Sequence, residues 1–329
     1  MAKGSVTYKV ISLFIKLVIV GASLYYIYYK IVERSDFTTV GVELKSTLST
    51  INVGYLSVLL VLMILNWSLE ALKWKMLIDP LEPVSFPLAL KAVLAGITVS
   101  VFTPNRTGEF GGRIFFLEKA DRIRAVFLTF IGNAAQLLVT IVAGAIALLF
   151  YLPAYTAINS RQNPYLFFSL LIFILLMAIT LVISYFNISL LTKLTGRIKM
   201  LSRIQLHLDV LEEYSFSKLF KLVFLSLLRY SVFTLQFFLL LKLFHVDVNV
   251  KDGLIMIMLT FFAITAIPTI SFTELGVRGS AALAFIGLLS TNSLGIVCAS
   301  FSLWLINIAL PAVAGTIFVF QLKFFKNRS

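Results

Sequence analysis

The sequence predicts an all-α polytopic membrane protein with six full transmembrane helices and two re-entrant helical hairpins in an inverted repeat. Composition, the lengths of the apolar runs and a short sequence motif that occurs twice predict this fold. Of the 329 residues, 60% are hydrophobic and 13% are charged, against roughly 25% charged in an average soluble domain. The mean hydropathy of +0.98 points the same way. The composition therefore excludes a soluble globular enzyme, a disordered chain and a disulfide-rich secreted module.

Six apolar runs are long enough to cross a bilayer, because its core of about 30 Å needs about 20 helical residues. Two further runs, Leu88–Phe102 and Leu254–Ile267, are too short to span and stop next to a proline, which predicts two re-entrant hairpins. The first long run is interpreted as a retained anchor, since Lys16 interrupts it and no cleavage site follows. The six runs are Val10–Tyr29, Val53–Leu72, Val126–Phe150, Tyr165–Phe186, Leu222–Phe244 and Gly295–Phe320.

The positions of the basic residues predict an N-in/C-in orientation. If both hairpins return to the side they enter, 17 of the 28 Lys and Arg residues face the cytoplasm and 6 face outside, in line with the positive-inside rule. The net charge of +13 is spread over such short loops, so we predict no nucleic-acid partner. The five basic residues left at membrane depth are Lys16, Arg106, Arg113, Arg229 and Arg278.

The motif Glu-[Phe/Leu]-Gly-x-Arg follows each short run, about half a chain length apart. The copies contain Pro104, Glu109 and Arg113, and Pro268, Glu274 and Arg278. The single membrane domain, residues 1–329, thus divides into repeats of about 1–160 and 161–329. Each repeat has three full spans, an odd number, so the two are inverted, a frequent plan of transporters. A chance match of two short, glycine-rich motifs is the alternative.

The motifs predict irregular backbone at membrane depth, because proline ends a helix and glycine permits sharp turns. A second helical leg is expected to begin near Thr107 and Thr273, which can cap it. The first N–H groups of such a helix favour anions. If the second legs of the two hairpins meet near the membrane midplane, an anionic group such as a lipid head group is predicted to bind there. The predicted hairpin-shaping residues are Pro104, Gly108, Gly111, Pro268 and Gly276.

Ionisable groups inside a membrane are costly and usually functional, which predicts the substrate-binding residues. Each motif glutamate precedes an arginine by four residues, so the pair can also simply neutralise itself on one helix face. Glu70 lies close to Lys73 and is predicted to form an interfacial pair, and a kink is expected at Pro311. The predicted substrate-binding residues are Arg106, Glu109, Arg113, Arg229, Glu274, Arg278 and Asn307.

No nucleotide-binding, nucleophile-elbow or zinc-protease motif occurs in the sequence, so no cofactor, metal or catalytic residue is predicted. The segment Gly196–Tyr214 has apolar residues at helical spacing and is predicted to lie along the cytoplasmic lipid surface. The oligomeric state stays open, a homo-oligomer included.

At Pro104 to Arg113 and at Glu274 to Arg278, the chain resembles the flippase-like family of the lysylphosphatidylglycerol synthase transmembrane region. The resemblance covers nearly the whole chain. It implies a lipid flippase of the bacterial cytoplasmic membrane that moves an anionic, zwitterionic or polyprenyl-linked lipid between leaflets. Bifunctional members carry an aminoacyl-transferase domain after the membrane part, whereas this sequence ends at Ser329. Lysyl transfer is therefore not expected, and the resemblance implies a protein that is not an enzyme.

Two other functions stay open. An ion-coupled transporter of a small anionic solute would use the same charges, and a closed aqueous vestibule would favour it over a cavity open to lipid. An intramembrane lipid-modifying enzyme would use Glu109 and Glu274 as an acid/base pair, which requires both to converge on one reacting atom.

Overall fold

The computed structural model describes residue 25 and residues 53–101, 103, 106–158, 164–187, 214–267 and 271–319. Helices and their connecting turns make up this part of the chain, and no strand occurs within it, which confirms the all-α class. The predicted first span lies outside the described residues, apart from Tyr25, and so does the predicted surface helix, apart from Tyr214. Pro104 and Pro268 also lie outside them.

Helices α1, α4, α5 and α6 and the segment from α9 to α10 are long and apolar enough to cross a membrane. They coincide with five of the six predicted spans. Helices α2 and α7 have only 16 and 17 residues, as the two short runs predict. The helices are α1 (Val53–Ile78), α2 (Phe86–Val101), α3 (Gly108–Ile114), α4 (Arg122–Ile158), α5 (Pro164–Phe186), α6 (Phe216–Leu243), α7 (Val250–Ala266), α8 (Ser271–Ile286), α9 (Ser293–Trp304), a π-helical turn (Leu305–Ala309) and α10 (Leu310–Val319).

Large apolar side chains on the outer faces of three spans are exposed. Val61 on α1 is 62% exposed, Phe130 on α4 is 61% exposed and Phe173 on α5 is 64% exposed. An apolar surface of this extent is unfavourable in water and favourable against lipid chains. The arrangement of the helices thus agrees with the membrane environment that the composition predicts.

Each short helix forms a hairpin with the helix that follows it, α2 with α3 and α7 with α8. The first hairpin closes where Gly112 meets Gly96: a Cβ atom on Gly112 would lie 2.6 Å from the Cα of Gly96 and 2.9 Å from the carbonyl oxygen of Ala95. Only glycine lets two backbones approach this closely. Gly111, which the sequence suggests for this role, has nothing within 4 Å of the position a Cβ would take. The hairpin therefore depends on Gly112 and Gly96.

Alanine at position 112 is expected to destabilise the protein, whereas alanine at position 111 is expected to be tolerated. A methyl group on Gly112 would clash with backbone atoms that cannot rotate away, and overpacking of this kind costs about 1–3 kcal/mol. The measurement is the midpoint of thermal unfolding of the Gly112→Ala and Gly111→Ala proteins in detergent. Equal midpoints for the two variants would contradict the glycine contact.

The hairpins pack against spans of the opposite half of the chain. Thr98 of α2 donates a hydrogen bond of 2.7 Å to the carbonyl of Ala312 in α10, next to Gly315, which lies against Leu94. Likewise α7 packs on α4. Each half of the chain thus places its short helix on the last span of the other half. A pair of inverted repeats would pack in this way, although the repeat itself stays a prediction.

Helices α1 and α6 pack on each other. Two hydrogen bonds join them. Gln236 donates to the carbonyl of Leu59 over 3.0 Å, and Tyr55 donates to the carbonyl of Leu239 over 2.8 Å. Polar side chains on spans commonly act as interhelical hydrogen-bond partners of this kind. This contact brings the polar residues of α1 and α6 together at the centre of the protein.

Glu82, in the turn between α1 and α2, holds the loop that leads into α4. Its carboxylate accepts hydrogen bonds of 2.8 Å from the backbone N–H groups of Lys119 and Ala120 and of 3.2 Å from that of Glu118. Partial burial raises the pKa of Glu82, but these three donors outweigh burial and hold the pKa below its usual value. The end of the first hairpin is thereby fixed relative to α1.

Candidate functional site

A cavity of about 270 Å³ lies between the two hairpins. Helices α1, α4, α6, α7 and α8 and the turn before α3 all contribute to its lining. The charged side chains among its lining residues are three arginines, Arg106 from the first hairpin, Arg278 from the second and Arg229 from α6. The sequence predicts that arginines of both motifs lie close together, and Arg106 and Arg278 do line the same cavity. Their role in binding stays a prediction.

Arg106 occupies a strained turn between α2 and α3. Its φ angle is 58°, and this left-handed conformation costs a residue with a side chain about 1–2 kcal/mol. Its Nε is buried without a hydrogen-bond partner in the described part of the chain. Strain and an unpaired buried donor often mark functional sites. Arg106 is therefore the arginine of the cavity that is most available to a guest.

The start of α3 is capped differently from the sequence-based expectation. Thr107 occupies the N-cap position, but its side chain makes no capping hydrogen bond. Instead the hydroxyl of Thr103 accepts a hydrogen bond of 2.7 Å from the N–H of Gly108. A Cβ on Gly108 would lie 2.7 Å from that hydroxyl oxygen. The glycine therefore allows the cap that holds the Arg106 turn.

Arg229 is held by three residues of α1. Its Nε donates to the side-chain oxygen of Asn66 over 2.9 Å, and its Nη1 donates to Glu70 over 2.8 Å. The guanidinium carbon lies 4.8 Å from the centre of the Trp67 ring, within the range of a cation–π interaction. These contacts fix the plane of the guanidinium and leave Nη2 available to a guest.

Arg278 is held by its own motif partner, Glu274. Its Nε and Nη2 donate to one carboxylate oxygen of Glu274 over 2.8 Å and 2.5 Å. Glu274 is 4% exposed, and the charge of Arg106 also acts on it without an ion pair. The predicted four-residue pairing is confirmed here. It orients Arg278 and leaves its Nη1 available to the cavity.

The other motif pair has a different place in the structure. Arg113 is 1% exposed and does not line the cavity. It donates to Glu109, four residues earlier, and over 2.9 Å to Glu70 on α1. Two carboxylates thus neutralise Arg113 inside the protein, where it joins the first hairpin to α1.

Gly276, which the sequence predicts to shape the second hairpin, is buried within α8.

Glu70 is the centre of a buried ionic cluster that also contains Lys73, Arg113, Arg229 and Glu109. The Nζ of Lys73 lies 2.8 Å from a carboxylate oxygen of Glu70, so the predicted pair forms. Glu70 and Lys73 are each 1% exposed, so the pair lies inside the protein, and its predicted position at the membrane boundary stays a prediction. Glu70 faces the protein interior because the contact of α1 with α6 and α3 covers this turn of the helix.

Asn307 supports the cluster from the last span. Its side-chain oxygen accepts a hydrogen bond of 3.0 Å from Asn66, and its amide nitrogen donates to the carbonyl of Leu303 over 3.2 Å. It is 1% exposed and lies outside the cavity lining. The π-helical turn Leu305–Ala309 contains it and directly precedes the expected kink at Pro311. Asn307 thus orients Asn66, which orients Arg229.

The remaining lining of the cavity combines aromatic and uncharged polar side chains. Phe233 of α6 and Phe261 of α7 face the cavity, and their ring centres lie 5.3 Å apart. Gln136 and Thr140 come from α4, and the side-chain oxygen of Gln136 is buried without a hydrogen-bond partner in the described part of the chain. The cavity lining therefore combines cationic and apolar side chains.

Sequence reasoning did not assign Glu70 to the site, and Gln136 was only one of several polar span residues that could line a cavity. A polar residue in a long apolar run was the available signal, but several such residues occur, and the run does not show which face is internal.

The family model described as lysylphosphatidylglycerol synthase TM region matches residues 13–315 of the chain. No match was found among the curated proteins.

Proposed function

The chain belongs to the family of the lysylphosphatidylglycerol synthase TM region, and we propose that it moves a lipid with an anionic head group between the two leaflets of a membrane. The family match covers most of the chain, and several helices are apolar enough to make it a multi-pass membrane protein. The proposal includes six spans, two re-entrant hairpins related as inverted repeats, an N-in/C-in topology and the bacterial cytoplasmic membrane.

One observation carries the proposal: the lining of the cavity between the hairpins combines three arginines with aromatic side chains. Fixed arginines suit the anionic part of a head group, because a guanidinium offers several N–H donors in one plane. Phe233 and Phe261 suit the first apolar part of the lipid. A small water-soluble anion would make no use of an aromatic wall, so the lining favours an amphiphile.

The proposed roles of the charged residues follow from their contacts. Arg106, Arg229 and Arg278 bind the head group. Glu70 and Glu274 orient the latter two arginines through the ion pairs described above. We propose no chemical reaction, since both carboxylates are engaged by arginine and neither is left as a free base.

Lipid exchange between leaflets is the direct test. The protein is reconstituted into vesicles of phosphatidylethanolamine and phosphatidylglycerol that contain a trace of an acyl-labelled fluorescent anionic phospholipid. A membrane-impermeant reductant then destroys the label in the outer leaflet. In protein-free vesicles about half of the signal should remain, whereas the protein should bring the inner lipid within reach and remove most of the signal.

Two outcomes of this assay would contradict the proposal. The first is exchange no faster than in protein-free vesicles. The second is loss of signal together with release of a trapped soluble dye, which would show leakage. Uptake of radiolabelled phosphate into the same vesicles without lipid exchange would instead support the soluble-anion transporter.

A further inference from the structure

Among the residues that the structure describes, the charges around the cavity do not balance, and the excess indicates the kind of head group. The first group of charges is the cluster centred on Glu70. It joins Lys73, Arg113 and Arg229 to the carboxylates of Glu70 and Glu109 by ion pairs. Counted with every group ionised, three cations against two carboxylates leave one positive charge. Arg229 is the member of this cluster that lines the cavity.

The second group of charges lies at the same cavity as Arg229. It consists of Arg278, its partner Glu274, and Arg106. Two cations against one carboxylate leave a second positive charge. The lining residues of the cavity in the described part of the chain include no acidic side chain. Each of the two groups combines residues of both halves of the chain, and both groups meet at one cavity.

Free hydrogen-bond donors point to the same place. Arg229 uses Nε and Nη1 for Asn66 and Glu70, and Arg278 uses Nε and Nη2 for Glu274. One terminal nitrogen of each arginine remains for a guest. Arg106 forms no ion pair in the described part of the chain, and its Nε has no hydrogen-bond partner there. Three arginines around a single cavity match the three terminal oxygens of a phosphate group.

Two uncompensated charges are costly in the interior of a membrane protein. A phosphodiester carries one negative charge, whereas a phosphomonoester carries about 1.5 to 2 at neutral pH. The cavity of about 270 Å³ is also smaller than the roughly 300–1,000 Å³ typical of pockets for drug-sized ligands. A compact group with two charges fits these observations better than a large zwitterionic or aminoacylated head group.

We propose that the cavity selects a terminal phosphate, so that the lipid carried is a phosphomonoester lipid rather than a phosphodiester lipid. The inference rests on the proposed function. It adds that charge number, more than head-group size or hydrogen-bond pattern, decides which lipid binds. The acyl or isoprenoid tail makes no contact with the arginines and is not selected by them.

Binding to the purified full chain in an uncharged detergent tests the inference. The probes are phosphatidic acid and phosphatidylglycerol with identical acyl chains, and inorganic phosphate. Phosphatidic acid is expected to bind roughly 10-fold or more tightly than phosphatidylglycerol, because it makes one further charge-assisted contact. Equal affinities, or tighter binding of phosphatidylglycerol, would overturn the selection of a terminal phosphate. If inorganic phosphate binds as tightly as phosphatidic acid, the claim that the phosphate is recognised as part of a lipid is overturned.

Variants at position 106 sharpen the test. The Arg106→Ala protein loses one excess charge, so its preference for phosphatidic acid over phosphatidylglycerol should fall toward equality. The Arg106→Gly protein should behave alike, since glycine accepts the φ of 58°, and it covers the case in which alanine impairs folding. A full preference retained by both variants would overturn the charge argument. The binding preference and leaflet exchange are measured independently. If the protein prefers phosphatidic acid but does not exchange lipid, only the proposed transport is contradicted. If it exchanges lipid without this preference, only the present inference is contradicted.

Discussion

Replacing Arg106 by alanine is expected to slow lipid exchange by roughly 10- to 100-fold while the protein keeps its fold. Hydrogen bonds to charged groups contribute about 1.5–3 kcal/mol, and each 1.4 kcal/mol corresponds to a factor of about ten. In the described part of the chain no carboxylate forms an ion pair with Arg106. Its removal therefore leaves no buried acid without a partner.

Two companion variants separate charge from backbone conformation. Arg106→Gly relieves the strain of the left-handed turn, so it should lose exchange equally and unfold at the same or a higher temperature. Arg106→Lys keeps the positive charge but not the planar fork, so it should retain part of the exchange. Exchange is followed by the fluorescence assay and stability by thermal unfolding in detergent. Exchange at the unmodified rate in Arg106→Ala would show that the turn has no part in transport.

Local features of the hairpins were predictable because a single helix determines them. The spacing of four residues places Glu274 and Arg278 on one face, and the ion pair between them follows. Run length and a closing proline were enough to predict that α2 and α7 are short. The structure adds that Arg106 and Arg278 line the same cavity.

Contacts between distant segments were not predictable in the same way. Glu70 lies 43 residues from Arg113 and 159 residues from Arg229, and its nearest charged neighbour in sequence, Lys73, suggested an interfacial pair. The face that Glu70 presents depends on the crossing of α1 with α6 and with the first hairpin. A single apolar run fixes helical structure but not the partner of each face.

The glycines of the first motif show that the sequence does not determine which of two adjacent residues makes a packing contact. Gly111 and Gly112 are adjacent in sequence, yet successive residues of a helix point about 100° apart. Gly112 therefore meets Gly96, whereas Gly111 faces open space. The motif predicts that a glycine is needed here, and only the packing of α2 on α3 determines which one.

Replacing Glu70 by alanine is expected to destabilise the protein more than any change in the cavity. Glu70 is 1% exposed and accepts from Lys73, Arg113 and Arg229 at 2.8–2.9 Å. Removing one partner of a buried ion pair costs about 3–5 kcal/mol, since the remaining charge stays buried without compensation. Three cations depend on this carboxylate, so the loss should reach the upper end. Thermal unfolding in detergent measures it.

Glu109→Gln is the matched control for this prediction, because Arg113 then keeps its contact with Glu70 and the loss should be smaller. A double variant tests the cause. If uncompensated charge is responsible, Glu70→Gln together with Lys73→Met should be more stable than the sum of the single effects predicts, with a coupling of roughly 0.5–3 kcal/mol. Additive effects, or a Glu70→Ala protein as stable as the unmodified one, would contradict the cluster. Lipid exchange should fall in the Glu70 variants as well, since Arg229 loses the carboxylate that holds it at the cavity.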